Sequence, residues 1–220
     1  MAYLNLPATT LVQRGTIYKK ELEPKLTVPQ RKQLAHVERL TWMHKLSPES
    51  VNLTGKQLLE FQVFELLARK RMDFRTLLSG IDQVIPYTIV FAVRYEEEIH
   101  YTTAAKHPHP ADAGRMVVDY TFRCDWLSHT DKRYQLHLRD NLDTVYLDFC
   151  RQLVEHDVPS HWELAELVGF RNAVEPLERQ AAKLRAQVLK ERQFNRQVEL
   201  NQVLQKVEGE LKGLWEKLSA

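Results

Sequence analysis

The sequence predicts an α+β fold. A mixed, largely antiparallel sheet of about five strands carries flanking helices and is followed by a long C-terminal helix of coiled-coil type. Three observations predict it. Between 38 and 126, short segments alternate apolar and polar residues with the period of a strand. After Asp140 the period becomes helical. From Asn172 to Leu218, leucines, valines and an alanine recur at alternating spacings of four and three.

Residues 1–27 mix short apolar clusters with Lys19, Lys20 and Lys25 and are punctuated by Pro7 and Pro24, so irregular structure or a short helix is expected. Pro29 opens a helix over Gln30–Val37. In the strand that follows, Leu40, Trp42 and Leu46 share one side, with Thr41 and Lys45 on the other, and Ser47-Pro48-Glu49 ends it as a turn. Leu59–Glu65 alternates as a second strand, Phe61 and Val63 pointing one way and Glu60 and Gln62 the other. Asp73 is the expected N-cap of a helix through Val84, with Leu77, Leu78, Ile81 and Val84 as its apolar stripe and Pro86 closing it.

Thr88–Val93 is apolar on both faces and reads as a central, covered strand. Ile99–Thr103 returns as its hairpin partner, and Ala105–Gly114 reads as a loop. In the next strand Val118, Tyr120, Phe122, Cys124 and Trp126 face the core. Leu142, Val145, Tyr146, Phe149, Leu153 and Val154 make one wide helical face. Ser160-x-x-Glu163 has capping-box spacing and opens a short helix to about Val168, which Gly169 ends. The globular part is therefore 1–170, and the helical extension 171–220.

Within the extension, Leu177, Ala181, Leu184 and Val188 form one apolar repeat, and Leu200, Leu204, Val207, Leu211, Leu214 and Leu218 another. A stripe of this kind is not stable in water alone. It has to lie against the body of the protein, a second copy or a different protein. One helix over this length would run about 70 Å, with Pro176 in its first turn. Continuing the first repeat lands on Glu191 and Asn195, so a stutter, a bend or a change of packing partner is expected there.

The composition narrows the class. A formal net charge of +2 over 220 residues does not describe a general polyanion binder. The two cysteines, Cys124 and Cys150, have no CxxC context, which fits a reducing cytoplasm rather than a disulfide scaffold or a zinc ribbon. No secretion signal and no run approaching roughly 18 apolar residues is present, so a soluble cytoplasmic protein is expected and a membrane is not.

Chemistry-bearing patterns are few. Glu60-Phe61-Gln62 has the Glu-x-Gln spacing that places both side chains on one strand face, where a metal-dependent nuclease holds a divalent ion, with Glu49 or Asp82 as a further carboxylate. Strand alternation produces this spacing by chance, so the reading stands as the alternative. His107 and His109 with His100 lack a third ligand in sequence and read as an exposed polar loop. Arg69, Lys70, Arg71 and Arg75 form the densest basic cluster, and Arg185 and Arg192 lie on a basic stretch of the extension. Together they mark where nucleic acid would be touched. The blander reading of that stretch is a solvated face laced with ion pairs. Gly55-Lys56 lacks a phosphate-binding loop, and no nucleophile has a His–acid context. No cofactor is called for.

The ordered segments Lys45–Leu53, Glu60–Glu65, Ile81–Pro86 and Tyr101–Lys106 resemble those of a prokaryotic family, domain of unknown function 4391, over nearly the whole chain. The resemblance implies no activity. It implies a context: accessory components beside DNA methyltransferases and helicases of restriction-like phage-defence loci. The expected function is thus a non-enzymatic interaction subunit. It would dock a helicase, a methyltransferase or a second copy of itself through Leu177, Leu184, Val188, Leu200, Leu204, Val207, Leu211, Leu214 and Leu218.

Overall fold

The computed structural model describes residues 3–216. Leu218, the last member of the predicted stripe, lies outside them. The chain divides into two compact units that meet between His156 and Asp157.

The first unit is a sheet covered on both faces by helices. Its elements are β1 (Thr16–Ile17), α1 (Lys19–Leu22), α2 (Val28–Leu34), β2 (Val37–Leu46), α3 (Pro48–Val51), β3 (Phe61–Ala68), α4 (Arg75–Val84), β4 (Thr88–Tyr95), β5 (Glu98–Pro108), β6 (Met116–Arg123), β7 (Leu127–Ser128) and α5 (Leu142–Val154). The strand order is β1-β2-β3-β4-β5-β6, with β7 also pairing β5. The five predicted strands are β2 to β6. The sheet is larger because the two-residue β1 and β7 are too short to show a period. Neighbours are antiparallel except β3 and β4, which run parallel in register Phe61↔Thr88 to Leu67↔Arg94. A parallel pair requires a crossover, and α4 supplies it.

One face of the sheet packs on α2 and α4. Leu40, Phe64, Leu66, Ile89, Phe91 and Val93 bury against Leu34, Leu77, Leu78 and Ile81. Gln33 of α2 ties the two helices together. Its Nε2 donates to the Asp73 carbonyl, and its Oε1 accepts from the Leu77 amide at 2.7 Å. The other face packs on α5, with Phe61 against Tyr146 and Tyr101 against Phe149. Asn141 caps α5 by accepting from the Thr144 amide at 2.9 Å, and every residue of the predicted apolar face is buried.

Several local expectations are corrected. β3 does not have a polar face: Gln62 is 2% exposed and Glu65 5%, as buried as the apolar residues between them. With strands on both edges and helices on both faces, neither side of β3 meets water. β2 carries bulges that leave Glu38 and Met43 unpaired. Beyond Met43 the alternation inverts. Lys45 moves to the side of Trp42 and Phe64, and Leu46 moves to the opposite side with Phe61. The Trp42 indole N–H donates to the His44 carbonyl at 3.0 Å, and Val12 N–H donates to the Met43 carbonyl, so both carbonyls at the bulge find donors. Helix α2 starts earlier than predicted and releases Val37 to β2. β5 continues through His107, shortening the predicted loop.

The second unit replaces one long helix by two, α6 (Leu164–Lys190) and α7 (Phe194–Glu216). Glu163, not Ser160, precedes the first turn, and its amide is held by Glu166 Oε2 at 2.7 Å. α6 runs through Gly169 and Pro176 without ending. At Glu191 the backbone turns extended, which is where the apolar register fails. The two helices fold back on each other. Ala181, Leu184, Leu204 and Val207 form the buried seam, with Leu177, Leu200 and Leu211 against it. Arg185 reaches across to Glu208 at 2.7 Å, and Phe170 packs edge-on against Trp215.

The Lys106 ammonium is buried in the first unit. It donates to Asp82 Oδ1 and to the carbonyls of Asp82 and Ile85, each at 2.9 Å, closing the C-terminal end of α4. Burial pushes the Asp82 carboxyl up to about 6 and the Lys106 ammonium down, against the attraction between them. Lys106→Met is expected to destabilise the chain by about 3–5 kcal/mol in urea unfolding, because Asp82 is left buried without a cation. The double variant Asp82→Leu/Lys106→Met is expected to recover most of that loss.

The β2–β3 connection is pinned to α5 by Asp143, whose carboxylate accepts from the amides of Lys56, Gln57 and Leu58 at 2.6, 3.1 and 2.8 Å. Gly55 is required there, since a Cβ would sit 2.0 Å from the Leu58 carbonyl oxygen. This concavity of amides is an anion seat filled from within the protein. Asp143→Ala is expected to cost about 1–3 kcal/mol in thermal or urea unfolding, and Asp143→Asn, which keeps an acceptor, less.

Candidate functional site

The Met43 bulge builds a polar cluster at one end of the sheet. It turns Lys45 onto the residue opposite it on β3, Gln62. Lys45 Nζ lies 2.7 Å from Glu60 Oε2, and Gln62 Nε2 donates to Glu60 Oε1 at 2.8 Å. The structure therefore brings Glu60 and Gln62 together, as their spacing predicts. It also adds a lysine that the strand alternation had placed on the opposite face. The Lys45 ammonium is held above its usual range chiefly by its hydrogen bond to Glu60, with Glu49 and Tyr87 contributing. Gln62 Oε1 is buried and makes no hydrogen bond among the described residues.

Glu49 and Asp82 do not complete a metal site. Glu49 opens the one-turn helix α3, accepts from the Ser47 hydroxyl at 2.6 Å, and is held below the usual carboxylate range chiefly by that bond. Asp82 is engaged by Lys106. Each carboxylate thus has a local partner, and among the described residues no group of three or more His, Cys, Asp or Glu side chains is placed to hold a metal ion. The cluster can hold a charge pair in a half-buried setting. It lacks the converging carboxylates of metal-assisted hydrolysis.

The histidines separate. His107 Nδ1 bonds Asp119, and His109 Nδ1 accepts from the Ala111 amide. His100 packs at a tilt against Trp126 with ring centroids 4.9 Å apart.

The basic residues are in large part engaged. Arg71 pairs with Glu98 at 3.1 Å and lies over the Trp126 ring. Arg75 pairs with Asp73, whose Oδ1 also accepts from the Arg75 amide at the start of α4. Arg69 and Lys70, just before Arg71, are exposed. In the second unit Arg185 pairs with Glu208, whereas Arg192 stands exposed in the turn between α6 and α7.

Of the predicted docking stripe, Leu184, Leu204 and Val207 are buried in the hairpin seam, Leu177, Leu200 and Leu211 pack against it, and Val188 and Leu214 are half-buried. The side chains that stand out are others. Leu189 is 85% exposed and Phe194 76%, on either side of the turn. The sequence carries a signal for them: both lie off the four-and-three spacing, so no seam between these helices covers them. A buried cluster was also missed, Glu65 between Arg39 at 3.5 Å and Arg94 at 3.7 Å.

The pattern of a known family spans residues 4–211. The chain belongs to the family described as domain of unknown function (DUF4391). No curated protein matches it, and no solved structure matches it. Among the described residues no helix is long and apolar enough to cross a membrane. Family membership names no reaction, so function has to be argued from the geometry.

His100 gives this unit an acid limb. Burial pushes its imidazole down to about 4, below the 6.5 of an exposed histidine. The unfolded chain therefore binds a proton on His100 that the folded chain refuses. The stability it contributes is complete above pH 6.5 and is lost as pH falls toward 4. His100→Phe, which keeps a ring against Trp126, is expected to show a flatter decline of unfolding free energy between those pH values than the parent chain, in urea titrations at several pH values.

Proposed function

We propose that this chain is a non-enzymatic accessory subunit that works by docking a protein partner. The system is a bacterial, restriction-like phage-defence system in the cytoplasm, and the partner is its helicase or its methyltransferase. The observation that carries the reading is the second unit. It is a helical hairpin that closes its own apolar seam and presents charged and polar side chains outward. Among the described residues no group of three or more His, Cys, Asp or Glu side chains is placed to hold a metal ion. A paired helical arm of this kind offers a shaped surface and no reaction. Segment order supports the locus context, since it resembles a family found beside methyltransferases and helicases.

The seam alters how docking would work. A partner inserting its own helix between Leu184 and Leu204 would have to open the hairpin, so the outer surface is the better docking surface. The same closure removes the oily stripe that would have driven self-pairing. The nuclease alternative centred on Glu60 and Gln62 has a lysine ion pair where a metal would sit.

The purified chain is expected to elute as a hetero-complex when mixed with the helicase or methyltransferase of its locus, with mass read by light scattering. A chain that stays monomeric with both, or that cleaves DNA with Mg²⁺ or Mn²⁺ in a way Glu60→Ala abolishes, would refute the proposal.

A further inference from the structure

We infer that the apex of the α6–α7 hairpin, formed by Leu189, Lys190, Arg192 and Phe194, is the contact surface for an acidic protein partner, one with an apolar pocket rimmed by carboxylates. The inference rests on the docking reading above and names its surface.

The apolar part of the apex has no structural task within the hairpin. The seam is satisfied by Ala181, Leu184, Leu204 and Val207. Leu189 follows Val188 by one residue, which turns it about 100° around the helix axis, off the seam. Phe194 opens α7 on the far side of the turn at 76% exposure, and Val198, one helical turn on, is 39% exposed. A surface leucine alone is ordinary, whereas a leucine and a phenylalanine bracketing one tight turn mark a place that a partner covers.

The turn between them is ordered by its own bonds. Glu191 Oε1 accepts from the amides of Arg192 and Gln193 at 2.8 and 2.9 Å. Gln197 Nε2 donates to the Val188 carbonyl across the turn at 3.3 Å. Both anchors are therefore displayed on a fixed frame, and less ordering entropy is lost on binding than with a floppy loop.

Charge selects the partner. Between 183 and 198 the sequence has Lys183, Arg185, Lys190, Arg192 and Arg196 against Glu191. Arg185 is neutralised by Glu208 and Arg196 by Glu199. Among the described residues Lys190 and Arg192 make no ion pair, and with Glu191 the one carboxylate in the turn the apex keeps a positive surplus. A surface of two large apolar anchors inside a cationic rim complements an apolar pocket inside an anionic rim. Nucleic acid would engage the cations and leave Leu189 and Phe194 wet, because backbone binding is driven by phosphate contacts. A membrane-surface helix needs an apolar face along its length, and α6 buries its stripe against α7.

The test titrates the full-length chain against four probes: the purified helicase and the purified methyltransferase of the proposed system, a 30-base-pair duplex DNA, and vesicles of phosphatidylglycerol. Leu189→Ser/Phe194→Ser is expected to weaken binding to one of the two proteins at least about thirtyfold, at low and high salt alike. Lys190→Glu/Arg192→Glu is expected to weaken it mainly at low salt, since rim charges are screened. Lys206→Glu, the same charge change on exposed α7 surface, is expected to leave it unchanged. All four positions of the double variants are exposed, and circular dichroism confirms that the helices are retained. Partner binding that survives both double variants overturns the apex and leaves the docking reading standing. Failure of both proteins to bind the parent chain overturns both readings. Binding to DNA or vesicles that the apex variants abolish, with no protein bound, overturns the acidic-protein assignment.

Discussion

The rest of the first unit depends on covering β3 and β4 on both faces. They form the parallel pair of the sheet, and a parallel pair has to be bridged by a crossover that lies on one face. α4 covers that side with α2, and α5 covers the other. Once water is excluded from both faces, each polar group there needs a partner from inside the protein. That requirement explains three features far apart in sequence. Glu60 is met by Lys45 and by the Gln62 amide, Glu65 by Arg39 and Arg94, and Asp82 by Lys106. The carboxylates that read as candidate metal ligands thus each have a separate partner, Glu60 and Asp82 a lysine and Glu49 the Ser47 hydroxyl, which is an arrangement for holding a fold.

The second unit obeys the same rule with different means. Its apolar repeat could have been satisfied by another copy or another protein, and the shortest route, the chain's own return, took precedence. Closing a short loop costs little entropy compared with recruiting a second molecule from solution. What remains for recognition is the outside of the hairpin, where charge is unevenly compensated and two large apolar side chains are left at the turn. The reading of the helical extension as an interaction element therefore moves from the repeat to its ends.

The legible parts of the fold are those whose residues interact with near neighbours in the chain. The α5 face was readable because Leu142, Val145, Tyr146, Phe149, Leu153 and Val154 share one helix and all turn the same way. β4 was readable as a central strand because it is apolar throughout. β3 was misread because Glu60 and Gln62 look like the wet side of an alternating strand, whereas Gln62 is buried and Glu60 is half-buried against Lys45, brought there by a bulge at Met43 that leaves no sequence mark. Gly169, which read as a stop, and Pro176, which read as a first-turn residue, both lie inside α6, because a helix with a packed face tolerates one lost bond. The turn at 191–193 contains neither glycine nor proline, so only the lapse of the apolar register announced it.

By itself the sequence determined the class of the fold, five of its strands, the buried face of α5 and the presence of an apolar helical repeat that had to be covered. These follow from periodicity and capping, which act over a few residues. Tertiary structure alone decided what covered the repeat, which side of β2 carries Lys45, and which carboxylate each lysine meets. Those outcomes turn on strand register and on a chain reversal. Both are set by the competition to remove apolar surface from water across the whole molecule, which no local pattern records.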